Sequence, residues 1–211
     1  MIHYYLKKIQ YFIHPRKYEY PKTIVDFFFQ NKKQDVISFS SIGGTRTVPP
    51  KNEFFKLTKQ FNVLFVKDTE RSWFNSVDTK YIKSFLKKKK IYCIGHSMGG
   101  FNAIMFSNFY SVSKVIAFSP QFSIYPFISK DKTYLNYAAS IKKWKYKKLQ
   151  FNKKTKYCLI FGDSKNEKYH MDQIPDQKNI KKIIISNCQH DSAATLKKRK
   201  ELYPIINQFF K

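Results

Sequence analysis

A serine between glycines is the residue of this chain best placed to do chemistry. Ser97 lies in the pentapeptide GHSMG, residues 95–99, which follows an apolar run over 91–94 and precedes apolar residues at helical spacing. A strand, a sharp turn and a helix in that order would hold the Ser97 hydroxyl above the end of a sheet, in a strained conformation that glycine neighbours permit. The Met98 amide would then face the negative charge that develops on an attacked carbonyl oxygen. The pattern predicts a nucleophilic serine, although a glycine-rich connection with an ordinary serine fits the same letters.

A nucleophilic serine needs a base to take its proton and an acid to orient that base. His190 follows a predicted strand over 180–186 and precedes the closing helix, so it comes after the serine in the chain and at a strand end. The other histidines lie near the N-terminus, inside the pentapeptide or beside Glu167; they are His3, His14, His96 and His170. His190 is therefore the predicted base.

Two carboxylates that follow the predicted strand over 157–161 compete for the role of the acid. Asp163 is the first choice because it stands at the end of that strand, and Glu167, four residues later, is the alternative. A second donor to the oxyanion should come from the backbone amide of Ile42 or Gly43, which follow a predicted strand over 36–40.

Strands and helices alternate along the chain. The apolar runs predict strands over 23–30, 36–40, 62–66, 91–94, 114–118, 157–161 and 180–186, and helices over 52–60, 77–88, 135–149 and 193–210, with one more after Ser97. This alternation predicts a mostly parallel sheet with helices on both faces. The active site of such a sheet lies at the carboxyl ends of its strands, where the candidate residues above fall.

Length and composition predict one globular domain over 1–211, with an aromatic, lysine-rich insertion at about 122–155 that breaks the alternation. The 40 Lys and Arg against 14 Asp and Glu give a formal net charge of +26. This surplus is either a solvated lysine coat or a surface that attracts an anionic partner such as a glycan, a phosphorylated sugar, a lipid head group or a coenzyme. Because arginine is scarce and no reading motif is present, nucleic acid is not an expected partner.

The cysteines and the N-terminal segment bear on localisation. Cys93, Cys158 and Cys188 fall at predicted buried strands and have no metal-ligand spacing with histidine, so we expect reduced core thiols, no metal site and a cytoplasmic protein. Apolar residues over 2–13 share one helical face with lysines beside it. That face could lie on the inner surface of an anionic membrane, although packing on the domain is favoured.

The pentapeptide with Gly100, followed in the chain by an acid and then His190, resembles the α/β-hydrolase superfamily over roughly 36–210. More narrowly, the runs 73–75, 97–101 and 116–121 resemble small bacterial α/β-hydrolase-like proteins associated with cell-surface polysaccharides, some of which are O-acetyltransferases of capsular sugars. The resemblance implies a three-layer α/β-hydrolase-type sandwich with a short helical cap insertion, and a Ser-His-acid triad that forms an acyl-enzyme.

The resemblance also implies a pocket and a choice of reactions. Arg71, Trp73, Asn75 and Gln121 would line the substrate pocket, where an aromatic ring and polar groups could seat a sugar. The first hypothesis is a carboxylester hydrolase that needs no cofactor and acts on a small acyl ester or an acylated glycan. The alternatives are an O-acetyltransferase that takes its acyl group from acetyl-CoA and modifies a capsular or other anionic glycan, and a non-catalytic protein that binds polyanions.

Overall fold

A computed structural model describes residues 21–43, 48–86 and 90–211. Seven strands in these residues form one sheet: β1 Thr23–Phe28, β2 Asp35–Phe39, β3 Asn62–Asp68, β4 Ile91–His96, β5 Lys114–Phe118, β6 Lys156–Gly162 and β7 Ile180–Ile185. The predicted strands are therefore confirmed, with ends that differ by one or two residues. The apolar helical face over 2–13, with His3 and His14, lies outside the described residues.

The same ranges contain a 3-10 helix, Phe55–Lys59, and six α-helices: α1 Thr79–Lys83, α2 Met98–Phe106, α3 Leu135–Ser140, α4 Lys165–Asp172, α5 Ser192–Lys198 and α6 Leu202–Phe210. The helix predicted over 135–149 ends early, because the segment 142–148 carries five lysines whose mutual repulsion disfavours helical turns. The closing helix over 193–210 is two helices, since Lys200 has a φ of 63° and interrupts the helical backbone. The helix predicted over 77–88 is also shorter than expected.

The order of the strands creates a switch point in the sheet. The order is β1-β3-β2-β4-β5-β6-β7; β1 is antiparallel to β3, and all other neighbours are parallel. From β2 the chain moves outward to β3 and then returns past β2 to β4. Parallel sheets bind their ligands at the carboxyl ends of strands where the order reverses in this way. The ends of β2 and β4 are therefore the expected place for a site.

Strand residues alternate between two apolar cores, one on each face of the sheet. On one face, Cys93 and Ala117 belong to a core that includes α2 and part of the insertion between β5 and β6. On the other face, Tyr92 and Ile160 pack with residues of α5 and α6 such as Leu196. The chain thus forms the three-layer α/β sandwich that the sequence predicts. All three cysteines are buried and unpaired.

Candidate active site

Ser97 sits on a sharp turn between β4 and α2. Its φ is 54° and its ψ −125°, a conformation that is strained for a residue with a side chain. The backbone N–H of Ser97 donates to the Phe118 carbonyl at 2.8 Å. A Cβ atom on Gly99 would collide with the carbonyl oxygen of Phe39, so only glycine lets α2 approach the end of β2 this closely. The strand, turn and helix predicted around the serine are thus present.

His190 is brought to Ser97 by the loop after β7. The Oγ atom of Ser97 lies 2.8 Å from Nε2 of His190. The loop can pack against the end of β6 because Gly162 has no side chain, and a Cβ there would overlap the carbonyl groups of Cys188 and Gln189. The predicted nucleophile and base are therefore in direct contact.

Glu167, and not Asp163, contacts the histidine. Oε1 of Glu167 lies 2.8 Å from Nδ1 of His190, and its Oε2 accepts a hydrogen bond from the Gly162 amide at 3.1 Å. Burial acts to raise the pKa of Glu167, but hydrogen bonds from His190, Ser119 and the Gly162 amide outweigh it, so the pKa lies below its usual value. A buried carboxylate therefore faces the ring of His190.

The preference for Asp163 as the acid is corrected by this geometry. The two carboxylate oxygens of Asp163 accept from the backbone amides of Asn187 at 2.8 Å and Cys188 at 3.0 Å, and these bonds lower its pKa. Asp163 thus orders the loop that carries His190. A signal for the alternative was present in the sequence: Ser164 caps α4 by accepting from the Glu167 amide, which is the serine-x-x-glutamate start of a helix.

His96, the second residue of the pentapeptide, also contacts the loop of His190. Its Nε2 lies 2.8 Å from the carbonyl oxygen of His190 and must donate to it. Burial lowers the pKa of His96 to about 4, so the ring is neutral at physiological pH. We did not predict this role, and the residue's place inside the motif was its only signal.

Gln121 contacts Ser97, and Trp73 contacts Gln121; that either residue lines a substrate pocket stays a prediction. The amide Nε2 of Gln121 is 3.0 Å from Oγ of Ser97, and its Oε1 accepts from the indole N–H of Trp73 at 3.0 Å. Trp73 is fully buried, and its indole holds the Gln121 amide in place through this hydrogen bond. A cap residue that the sequence did not single out, Tyr134, places its hydroxyl 3.0 Å from Nε2 of His190.

Arg71 was expected to line the substrate pocket, but its guanidinium is committed to backbone carbonyl groups. The side chain is buried and donates to the carbonyl groups of Ile42 at 3.2 Å, Gly43 at 3.3 Å and Val48 at 2.7 Å. It also donates to the carbonyl of Thr69 at 2.6 Å. Arg71 therefore fixes the loop after β2, which carries the two predicted oxyanion donors.

Asn75 is likewise a structural residue here and not part of an open pocket. Its Oδ1 accepts from the amides of Lys145 at 2.7 Å and Tyr146 at 2.9 Å, and its Nδ2 donates to the carbonyl of Ser72 at 2.8 Å. The side chain is buried. Asn75 thus ties the turn after β3 to the cap insertion.

The three predicted oxyanion donors belong to elements that meet at the sharp turn of Ser97 between β4 and α2, which we call the elbow. Met98 is the first residue of α2, directly after the serine. Ile42 and Gly43 follow β2, whose end packs against Gly99. Gly43 has a φ of 41°, a value that favours glycine. Their role in holding an oxyanion stays a prediction.

The described part of the chain lacks two features. It has no group of three or more His, Cys, Asp and Glu residues arranged to hold a metal ion. None of its helices combines the length and the apolar character that crossing a bilayer requires.

The fold and the elbow agree with a comparison against known families. A family model described as alpha/beta hydrolase fold matches residues 17–200. The chain belongs to the alpha/beta hydrolase fold family. The expectation of an enzyme of this type is thereby confirmed. No curated protein is significantly similar in sequence.

Solved structures of this family share the fold at low sequence identity. The capsule O-acetyltransferase of Neisseria meningitidis serogroup A, in complex with caged gadolinium, is 17% identical with a TM-score of 0.61, over 90% of this chain and 93% of that chain. A mutant of that protein in complex with CoA is 18% identical with a TM-score of 0.60, over the same shares. A structure from a study of carboxylesterases of the thaumarchaeon Nitrososphaera gargenis is 14% identical with a TM-score of 0.58, over 89% and 93%.

Proposed function

We propose that this protein is a serine-dependent acyl-transfer enzyme in which Ser97 is the nucleophile, His190 the base and Glu167 the acid. One observation carries the proposal. A continuous line of hydrogen bonds runs from Ser97 Oγ to one nitrogen of His190 and from the other nitrogen to Glu167, each 2.8 Å long. Together with the strained elbow, this is the arrangement that makes a serine hydroxyl reactive.

The geometry supports a two-step reaction. His190 takes the proton of Ser97 as Oγ attacks the acyl carbonyl, and it returns that proton to the departing alcohol or thiol, leaving an acyl-enzyme. Glu167 stabilises the imidazolium between these two transfers. The amides of Met98 and of Ile42 or Gly43 would hold the oxyanion. A water or a sugar hydroxyl then gives its proton to His190 and takes the acyl group from Ser97.

The first candidate for the second step is hydrolysis of a carboxylester, since the triad requires no cofactor for it. The second candidate is transfer of an acetyl group from acetyl-CoA to a hydroxyl of an anionic glycan. The net charge of +26 favours this candidate, because it attracts both an anionic coenzyme and an anionic acceptor. The fold shared with a capsule O-acetyltransferase, and with a CoA complex of its mutant, is consistent with it.

A fluorophosphonate probe tests the shared first step. We expect wild type to be labelled at Ser97, as located by peptide mass spectrometry, and Ser97→Ala to be unlabelled. His190→Ala should be labelled at least about a hundredfold more slowly, because the base is lost. The matched control is Ser140→Ala, an exposed serine of α3 that should label like wild type. Wild type that is not labelled at Ser97, or labelling that survives in Ser97→Ala, would refute the proposal.

Acetyl transfer is tested separately from hydrolysis. Purified protein is incubated with acetyl-CoA and an anionic capsular polysaccharide, and ester-linked acetyl on the polymer is measured against free acetate in a blank with water as the only acceptor. Acetylated polymer that is absent with Ser97→Ala would support the second candidate. Free acetate alone would leave hydrolysis as the reaction.

A further inference from the structure

Three polar groups crowd one nitrogen of His190. Its Nε2 lies 2.8 Å from Oγ of Ser97, 3.0 Å from the hydroxyl of Tyr134 and 3.3 Å from the amide nitrogen of Gln121. A neutral imidazole whose Nδ1–H faces Glu167 offers one lone pair at Nε2. The serine and the phenol therefore compete for the same acceptor.

The Tyr134 hydroxyl is held in this place from two sides. The Gln121 amide donates to its oxygen at 3.1 Å, so the phenolic hydrogen points away from that amide, toward His190 or Oγ of Ser97. The ring packs on the indole of Trp73, with 5.3 Å between ring centroids, and that indole also fixes Gln121. Burial raises the pKa of Tyr134 to about 12, so the phenol remains a neutral donor at physiological pH.

Acylation of the serine changes the competition. In the acyl-enzyme Ser97 has no hydroxyl hydrogen, so two donors remain beside the lone pair of His190: the Tyr134 hydroxyl at 3.0 Å and, farther away, the Gln121 amide at 3.3 Å. The water or sugar hydroxyl that attacks the acyl carbon must give its proton to that same lone pair. His190 then passes the proton to Oγ of Ser97 as the bond between Oγ and the acyl carbon breaks. Ser97 and Tyr134 are both buried, so an attacking water must reach the lone pair of His190 on the side where the phenol lies.

We propose that Tyr134 protects the acyl-enzyme from water by occupying the base, and so lengthens the time in which another hydroxyl can accept the acyl group. The inference rests on the proposed serine mechanism. Tyr134 is the residue directly before α3, within the insertion between β5 and β6, so this brake is part of the cap. A cap contact made by an acceptor can then move the phenol, whereas a water molecule has no such contact to offer.

The test measures the lifetime of the acyl-enzyme. Protein is mixed with excess p-nitrophenyl acetate, the burst gives the rate of acylation, and intact-mass spectrometry of the acetylated protein after removal of the ester gives the rate of deacylation by water. We expect Tyr134→Phe to lose acetyl about five- to tenfold faster than wild type, which corresponds to the loss of one neutral hydrogen bond to the base. Tyr134→Leu should do the same, and it keeps the measurement informative if the phenylalanine variant folds poorly.

The control is Tyr125→Phe, which removes a hydroxyl from a cap tyrosine whose ring packs on Trp144. Its acyl-enzyme should last as long as that of wild type. Deacylation that is unchanged or slower in both Tyr134 variants would overturn the proposal, and so would wild type that never accumulates acetyl-enzyme. In either case labelling of Ser97 by the fluorophosphonate would still stand, which separates this failure from a failure of the proposed function.

Discussion

Replacement of Glu167 by glutamine removes a negative charge with little change of shape. The carboxylate is buried and lies 2.8 Å from Nδ1 of His190. Glutamine can still accept a hydrogen bond there, but it cannot stabilise the imidazolium, and its amide can instead donate to the ring and select the wrong tautomer. Triads that lose this charge lose about 10⁴ to 3 × 10⁴ in kcat, or about 5.4–6 kcal/mol of transition-state stabilisation. We expect Glu167→Gln to fall in that range.

The matched control is Asp163→Asn, the same change on the other acid of the loop. Asp163 is partly exposed, and its two oxygens accept from backbone amides of the loop that carries His190; asparagine keeps one of these two hydrogen bonds, so we expect about a tenfold loss of kcat, far less than for Glu167→Gln. The assay is steady-state hydrolysis of p-nitrophenyl acetate near pH 8, which gives kcat, with thermal melts to show that both variants are folded. The assignment of the acid would be refuted if Asp163→Asn lost as much activity as Glu167→Gln, or if Glu167→Gln retained the wild-type rate.

Two further predictions concern residues that support the site. Arg71→Lys should lower kcat by about tenfold or more with little change in KM, because an ammonium cannot reach all the carbonyl groups through which Arg71 fixes the loop of Ile42 and Gly43. Esterase kinetics and hydrogen exchange of that loop measure the effect. Wild-type kinetics in the variant would contradict the prediction. Burial lowers the pKa of His96 in the folded protein to about 4 from about 6.5. Between these pH values only the unfolded chain binds a proton at this residue. The free energy of unfolding should therefore fall by about 3 kcal/mol as the pH drops from 6.5 to 4. Urea denaturation at several pH values should show that His96→Gln lacks this part of the pH dependence, and identical slopes in both proteins would refute the assignment.

The parts of the fold that could be predicted from sequence are those in which local pattern and tertiary structure agree. Buried parallel strands appear as continuous apolar runs, so β4, β5 and β6 were found almost to the residue. Gly99 indicated that α2 packs closely on the sheet, and the structure shows this contact at the end of β2. Strand order along the chain then placed Ser97 and His190 at one edge of the sheet, where the structure joins them.

The direction in which each polar side chain points could not be predicted from the sequence. Asp163 and Glu167 both follow β6, and only the first turn of α4 sends one of them to His190 while the other turns to loop amides. Arg71 and Asn75 were expected in the pocket because polar residues gather at strand ends. The loops there leave many backbone carbonyls and amides unpaired, and the structure uses both side chains to satisfy them. Tyr134 directly precedes the helix predicted in an insertion that is rich in aromatic residues, so its residue type did not mark it.

The turn after β3 connects the parts of the site that come from distant stretches of chain. Arg71, Trp73 and Phe74 have φ values of 50°, 47° and 71°, and non-glycine residues pay about 1–3 kcal/mol each for such strain. Strain of this kind persists only where surrounding contacts hold it. Here Arg71 anchors the loop of Ile42 and Gly43, Trp73 holds the amide of Gln121, and Asn75 anchors the cap. The surroundings of Ser97 thus depend on a turn that contributes no member of the proposed triad, because the same few residues set the positions of the loop, the amide and the cap around it.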